Sequence, residues 1–455
     1  MTIESVNPAT GEVIQAYTLH SADDISDKIA QTFKAWHSWR LVSWSEKSSL
    51  LRKSGVILRD RKDELAHLMA IEMGKPSNAG RAEIQKCADV CDYYADNAED
   101  FLKSELISTD ASKSYVCFEP LGIILAVMPW NFPFWQVFRF LAPCLMAGNC
   151  SLLKHASNVP GCAMAIQEII REAGYPEYVF QTLLIDSKAV NSVIENPHIS
   201  AVTLTGSVEA GKHVAQKAAS VLKKTVLELG GNDAYIILED ADLELAAESC
   251  VNSRLINSGQ SCIAGKRFIV LKEVAEKFIL LFKQKMAAKI MGDPLDEKTE
   301  VGPQARVDLR DQLHKQVTDS IEKGALCLLG GKVPEGSSAF YPPTILTSVK
   351  KGMPAYDEEL FGPVASIIIA KDEEEAIEIA NDTVFGLGAG IFSSNIPRAE
   401  HIAAKRLIAG SCFVNSFVKS DPRLPFGGIK QSGYGRELSI YGIREFVNIK
   451  TVYIK

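Results

Sequence analysis

Up to about Leu102, apolar residues recur at helical spacing and leave polar outer faces. Ser21-Ala-Asp-Asp24 offers a capped start for a helix through about Trp39. Two longer helices are expected over Ser45 to about Met73 and Asn78 to about Leu102. Before them, Asn7-Pro-Ala-Thr-Gly11 makes a turn between two short strand-like pieces. Between Ser114 and Val127 the spacing changes to alternating and then continuous β-type residues, stopped at Pro129-Trp-Asn-Phe-Pro133. Strand-like and helix-like stretches then take turns. Strands are expected at Asn149–Lys154, Val179–Leu184, Ala201–Thr205 and Lys224–Leu229, with helices at Gly161–Ala173, Ser187–Asn196 and Val208–Lys223. Such alternation marks βαβ units and a parallel sheet covered by helices. A second mixed series runs from Ala234 to about Phe417, and Ile449–Ile454 alternates like a strand that needs a partner. No repeat or low-complexity segment interrupts this α/β pattern.

Length and charge narrow the picture. A chain of 455 residues exceeds what one core usually supports, so more than one domain is expected. Hydrophobic residues at 47% and charged residues at 23% exclude a disordered or fibrous chain. A net charge of -7 gives no basic footprint for nucleic acid. The N-terminus lacks the pattern of a signal peptide, and the apolar run Leu121–Trp130 meets Pro129 and Pro133 too early to span a bilayer. Ten cysteines without a C-x-x-C pair, and eight histidines without a cluster, read as reduced thiols in a cytoplasmic protein with no metal site.

Three stretches carry candidate chemistry. In Leu204-Thr-Gly206-Ser207, a strand passes through a tight turn into a helix whose first N–H groups suit a phosphate. Lys154 and Ser157 end a neighbouring strand, and ligands of open parallel sheets sit at such carboxyl ends. A plain βα turn and a solvated lysine are the bland alternatives. In Leu227-Glu228-Leu-Gly-Gly231 a carboxylate flanked by leucines should be desolvated, which raises its pKa toward that of a general base. A glutamate paired with a basic neighbour is equally open. The third stretch runs from Pro129 to Arg139. There an Asn131 amide precedes a helix opened near Pro133, and Trp135 and Arg139 share one helix face. Arg139 on that apolar helix needs an anion, either a substrate carboxylate or an internal acid. Downstream, Asn257-Ser-Gly-Gln-Ser-Cys262 places one thiol between a polar turn and an apolar segment. Most single cysteines are core fillers; a nucleophile needs the thiolate.

Pro129-Trp-Asn-Phe-Pro133, Leu227-Glu-Leu-Gly-Gly231, Gly259-Gln-Ser-Cys262, Glu358-Glu-Leu-Phe-Gly-Pro363 and Pro425-Phe-Gly-Gly-Ile-Lys-Gln-Ser-Gly433 follow one another along the chain. In that order they resemble the aldehyde dehydrogenase superfamily over essentially the whole length. The resemblance implies an α/β fold of that type, with a cofactor-binding domain over 1–102 and 121–229. A catalytic domain would cover 230–425, and an oligomerisation element 103–120 and 437–455. It implies that Cys262 is the nucleophile, Glu228 the general base, and Asn131 an oxyanion donor with the Cys262 N–H. Trp130, Lys154, Ser157, Gly206, Ser207, Glu359 and Phe361 would contact the dinucleotide. NAD-preferring members often carry glutamate where Ser157 stands, so NADP is expected to be accepted and preferred, with NAD possible.

Arg139 and the Lys154-His-Ala-Ser157 form of the lysine motif also resemble the bacterial succinate-semialdehyde dehydrogenases within that superfamily. By that resemblance the substrate is succinic semialdehyde. Arg139 and Ser420 would hold its carboxylate, and the Trp135 and Phe426 rings would line the slot. A second arginine of some members is replaced by Ile256, with Arg254 two positions earlier. The competing expectations are a broad-specificity aldehyde dehydrogenase, a CoA-acylating semialdehyde dehydrogenase, and a non-enzymatic protein of the same fold. A homodimer or homotetramer is expected, with the final strand joining a neighbouring subunit's sheet. An exposed, low-pKa Cys262 without a resolving cysteine would be open to oxidation.

Overall fold

A computed structural model describes residues 2–336 and 338–455. Ser21 and Asp24 close a capping box on the helix Ala22–Trp39: the Asp24 N–H donates to Ser21 Oγ, and the Ser21 N–H to Asp24 Oδ2. The single helix expected over Ser45–Met73 is instead two, Trp44–Asp60 and Lys62–Met73. They part at Arg61, whose backbone leaves the helical region and whose guanidinium binds Glu64, Glu168 and Glu172. The apolar spacing gives no warning of this break, because Leu58 and Leu65 lie two turns apart and both bury. The helix Ser77–Phe101 follows and packs on Trp44–Asp60 and Lys62–Met73.

The expected alternation becomes a six-stranded sheet. Its strands lie in the order Gly433–Tyr434, Lys224–Glu228, Ile199–Thr205, Ile123–Met128, Cys150–His155, Phe180–Thr182. All pair in parallel except Gly433–Tyr434. The chain winds from Ile123–Met128 outward to Phe180–Thr182, then returns to the other side of Ile123–Met128 as Ile199–Thr205. That reversal opens a crevice at the carboxyl ends of these two neighbouring strands. Pro129–Asn131 leave one of them and Gly206–Ser207 the other.

A seven-stranded sheet spans Ala234 to Val414 in the order Leu326–Leu329, Thr344–Thr347, Val364–Ala370, Arg267–Leu271, Ala234–Ile237, Gly388–Phe392, Ser411–Val414. Only Leu326–Leu329 is antiparallel. Its core merges with that of the first sheet through residues such as Tyr235 and Phe268. The third sheet has three strands. Val447–Ile454 finds its partner within its own chain, pairing antiparallel with Lys113–Pro120, which also carries Glu105–Leu106. Ile449 and Tyr453 on that terminal strand remain exposed. Among the described residues no helix is long and apolar enough to cross a membrane.

Candidate active site

The crevice is a cleft of about 950 Å³ walled by Trp130, Asn131, Thr205, Gly206, Ser207, Gly230, Cys262, Glu359 and Phe361, among others. It therefore brings together the turn after Ile123–Met128, the turn after Ile199–Thr205 and the Cys262 segment. Leu309, Gln312, Leu313 and Gln316 of the helix Val307–Glu322 close one side. Sequence patterning missed this wall because two glutamines one turn apart are ordinary on any helix.

Cys262 is half-buried at the end of a strained turn: Asn257, Ser258 and Gly259 all take positive φ. Gly259 lies against the backbone of Gly362 and Pro363, where no side chain would fit. Arg254, fully buried beneath the turn, donates to the Gly259 carbonyl at 2.6 Å. Lys266 donates to the Ser261 carbonyl at 2.9 Å and the Cys262 carbonyl at 2.5 Å. Both cations hold the turn from below, with Lys266 also paired to Glu359 at 3.2 Å. The Cys262 N–H meets no backbone carbonyl among the described residues. Asn131 donates from Nδ2 to the Gln260 carbonyl at 3.1 Å, and its own carbonyl accepts from Asn257 Nδ2 at 2.6 Å. Amide and thiol thus occupy one cleft wall. Burial pushes the Cys262 thiol up to about 12, against the opposing pull of Lys266 and Arg139. The resting sulfur is a protonated, half-covered thiol, which corrects the expectation of an exposed, low-pKa one.

Asn131 is held from behind by the strand that also carries Lys154. His155 Nε2 donates to the Pro133 carbonyl at 2.9 Å while its Nδ1 accepts from the Ala156 N–H. Burial lowers His155 to about 4, so the ring stays neutral and works as a fixed strut. Glu83 completes the support by accepting from the Phe134 and Trp135 N–H groups, where the helix Trp135–Met146 begins.

Glu228 ends the strand Lys224–Glu228, and neither of its carboxylate oxygens meets a hydrogen-bond donor among the described residues. Burial raises it well above the usual carboxylate range, and the charge of Glu437 raises it further. Gly427 lets the carboxylate lie close, since a Cβ there would sit 2.5 Å from Glu228 Oε1.

Arg139 has its anion inside the protein. It pairs with Glu437, both side chains being almost fully buried, and Nη2 reaches Thr205 Oγ1 at 3.5 Å. Its guanidinium lies over the Phe426 ring, 4.6 Å from the centroid. Of the two readings open in the sequence, the structure supplies the internal acid for Arg139. Glu437 could not have been chosen from sequence, because 298 positions separate the partners and Glu437 stands in a polar run. Trp135 is buried, with the Lys86 ammonium over its ring, and Ser420 and Phe426 line a separate pocket of about 510 Å³.

For the dinucleotide residues, Trp130 and Phe361 meet edge to face at 5.8 Å on the cleft wall. Ser207 caps the helix Val208–Ser220, accepting from the Ala210 N–H at 3.3 Å. Glu359 accepts from the Gly231 N–H at 3.0 Å. Lys154, on the next strand outward, and Ser157, in the turn after that strand, stand beyond the cleft's enclosed part. Lys154 has no carboxylate within ion-pair distance among the described residues, and burial lowers its pKa. A half-buried free ammonium, an exposed hydroxyl and a capped helix start fit an anionic dinucleotide.

The Aldehyde dehydrogenase family matches residues 1–452, and the chain belongs to that family. It is 50% identical over 454 residues, all of both chains, to a Synechocystis sp. protein described as a probable NADP(+) succinate-semialdehyde dehydrogenase. It is 47% identical to the Escherichia coli NAD(P)+ succinate semialdehyde dehydrogenase Sad, covering 99% of this chain and 97% of that one. The crystal structure of a succinic semialdehyde dehydrogenase from Streptococcus pyogenes in complex with NADP+ superposes with a TM-score of 0.97, at 39% identity and 99% coverage of both chains.

Proposed function

We propose that this protein oxidises succinic semialdehyde to succinate with NADP, through a covalent thioester on Cys262. The observation that carries the chemistry is the shared cleft wall, where the Cys262 thiol, its unpaired N–H and the Asn131 amide meet at the carboxyl ends of the sheet. The full-length likeness to succinate-semialdehyde dehydrogenases supports the substrate. Lys154, Ser157 and the start of the Ser207 helix would hold the phosphates. Trp130, Glu359 and Phe361 would flank the rest of the dinucleotide. NADP, when bound, supplies the hydride acceptor.

The Cys262 thiol gives its proton to solvent in the cleft, the thiolate adds to the aldehyde carbon, and the Cys262 N–H and Asn131 Nδ2 hold the resulting oxyanion. After oxidation, Glu228 in its ionised form, whose fraction grows as pH rises, takes a proton from water, and the hydroxide opens the thioester on Cys262. The sulfur leaves as thiolate. Because ionised Glu228 would activate water, CoA is not needed as acceptor. Comparing products with and without CoA tests this: free succinate in both is expected, and succinyl-CoA would overturn the hydrolytic step.

The three sheets support a cofactor-binding domain over 1–102 and 121–229, a catalytic domain over 230–425 and an oligomerisation element of 103–120 with 437–455. Exposed Leu106, Ile449 and Tyr453 on the third sheet support subunit association there as a homodimer or homotetramer. Ten free cysteines suit the cytoplasm. The test of the whole reading is kcat/KM for a panel of aldehydes with NADP and NAD. Succinic semialdehyde with NADP is expected to lead, and an uncharged aldehyde leading would overturn the substrate.

A further inference from the structure

Both backbone groups of Lys266 are tied into the seven-stranded sheet. Its N–H donates to the Asp233 carbonyl at 3.0 Å, and its carbonyl accepts from the Ser366 N–H at 3.0 Å, just before the strand Arg267–Leu271. From that fixed root the side chain, 1% exposed, runs back beneath the Cys262 turn. Its three donors are all engaged, by the carbonyls of Ser261 and Cys262 and by Glu359 Oε1. Replacing buried ion pairs by apolar residues is often neutral or stabilising, so stability alone gives little reason to bury this ammonium.

The carbonyl of Ser261 shares its peptide unit with the N–H of Cys262. That peptide is trans, so the two groups point in opposite directions. Lys266 Nζ at 2.9 Å and the Ala264 N–H at 3.2 Å hold the carbonyl. The Cys262 N–H is left on the opposite side, where it meets no backbone carbonyl among the described residues. Cys262 lines the cleft, whereas Ser261 and Lys266 are buried behind it. An ammonium at the oxygen end also draws electron density through the amide, which makes the N–H a stronger donor. The second donor, Asn131 Nδ2, has separate support from Asn257 and the Gln260 carbonyl. Each arm has its own anchor.

We propose that Lys266 is the positioning residue of the oxyanion site: its bond to the Ser261 carbonyl aims the Cys262 N–H into the cleft and strengthens it as a donor to the oxyanion. The assignment rests on the reading of Cys262 as nucleophile above. Lys266 acts through the peptide and is not among the residues that wall the cleft. Its charge also opposes the burial that raises the Cys262 thiol, so the donor effect has to be measured apart from the thiolate effect.

Two reagents separate them on the protein without cofactor. Acylation by p-nitrophenyl acetate forms an S–C bond and puts negative charge on the ester carbonyl oxygen, after which p-nitrophenolate leaves. Alkylation by iodoacetamide displaces iodide at a saturated carbon and has no oxyanion to hold. Acylation is read as the first-turnover release of p-nitrophenolate that disappears in Cys262→Ser, and alkylation as labelling of the Cys262 peptide by mass spectrometry. The ratio of the two rates cancels any change in thiolate fraction. In Lys266→Met the ratio is expected to fall by about ten-fold, part of the cost of losing an oxyanion donor outright. Lys266→Arg keeps a charged donor beneath the same carbonyls and is expected to recover most of it. A ratio in Lys266→Met equal to that of wild type, whatever happens to the separate rates, overturns the role of Lys266 alone. Glu359 is 20% exposed on the cleft wall and keeps a path to solvent when Lys266 is changed. Should Lys266→Met still not fold, Lys266→Ala decides by the same ratio. Release of p-nitrophenolate that survives in Cys262→Ser overturns the nucleophile reading, and the role of Lys266 with it.

Discussion

The Arg139 guanidinium and the Glu437 carboxylate form an ion pair with side-chain exposures of 2% and 4%. Glu228 is close enough to feel both charges, and the ring of Phe426 lies against the arginine. A pair so enclosed resists the loss of either member more than the loss of both, because a lone buried charge has no solvent to turn to. Its place beside Glu228 means that damage to it reaches that carboxylate.

Arg139→Ala and Glu437→Gln should therefore each cost about 3–5 kcal/mol of stability, measured by urea unfolding. Activity of Arg139→Ala should fall alike for succinic semialdehyde and for butanal. Selective loss on succinic semialdehyde would restore the carboxylate clamp to Arg139.

The raised thiol predicts a steep pH response. In the enzyme without cofactor, the rate of Cys262 alkylation by iodoacetamide should climb about ten-fold per pH unit between pH 7 and 9, as the thiolate fraction grows. Peroxide should follow the same slope and inactivate slowly at pH 7. A plateau reached below pH 8 would contradict a thiol held near 12.

Glu228 yields a stability prediction whose sign is fixed by its raised pKa. The folded state binds a proton at Glu228 that the unfolded chain has released above its ordinary carboxylate pKa. Wild-type stability from this group is full at low pH and is lost as pH rises toward the folded pKa. Glu228→Gln removes that loss, so its melting temperature should gain on wild type between pH 5 and pH 9 while thioester hydrolysis collapses. A gap that stays constant with pH would mean that Glu228 is ionised in the folded protein.

Ser157→Glu places a carboxylate where the NADP 2′-phosphate is expected, next to Lys154. The ratio of kcat/KM for NADP over NAD should fall by at least about ten-fold, the scale of a like-charge contact replacing a hydrogen bond. An unchanged ratio would put the 2′-phosphate somewhere other than Ser157.

Local signals made much of this readable in advance. Ser21 and Asp24 announce their helix because capping is settled within one turn, and the strands from Cys150 to Glu228 shift by at most a few residues from expectation. Cys262, Asn131 and the Gly206-Ser207 turn share a wall because the sheet reverses beside them, an outcome already implied by the βαβ alternation. Long-range electrostatics were illegible. Whether Arg139 meets Glu437 or a ligand depends on where Phe426–Glu437 folds back, which no local rule states. Lys266 and Lys86 carry no local signal, since only tertiary packing puts one under the Cys262 carbonyl and the other over Trp135.

The contact of Gly259 with Gly362 joins the Cys262 turn directly to the loop that carries Glu359 and Phe361. Backbone rests on backbone there, and Lys266 bridges Cys262 to Glu359 a few atoms away. With no side chain to act as a cushion, the two loops share one frame of reference. A shift of the Phe361 loop is therefore handed on to the sulfur, and an error of one ångström passed across this joint would cost roughly a hundred-fold in rate.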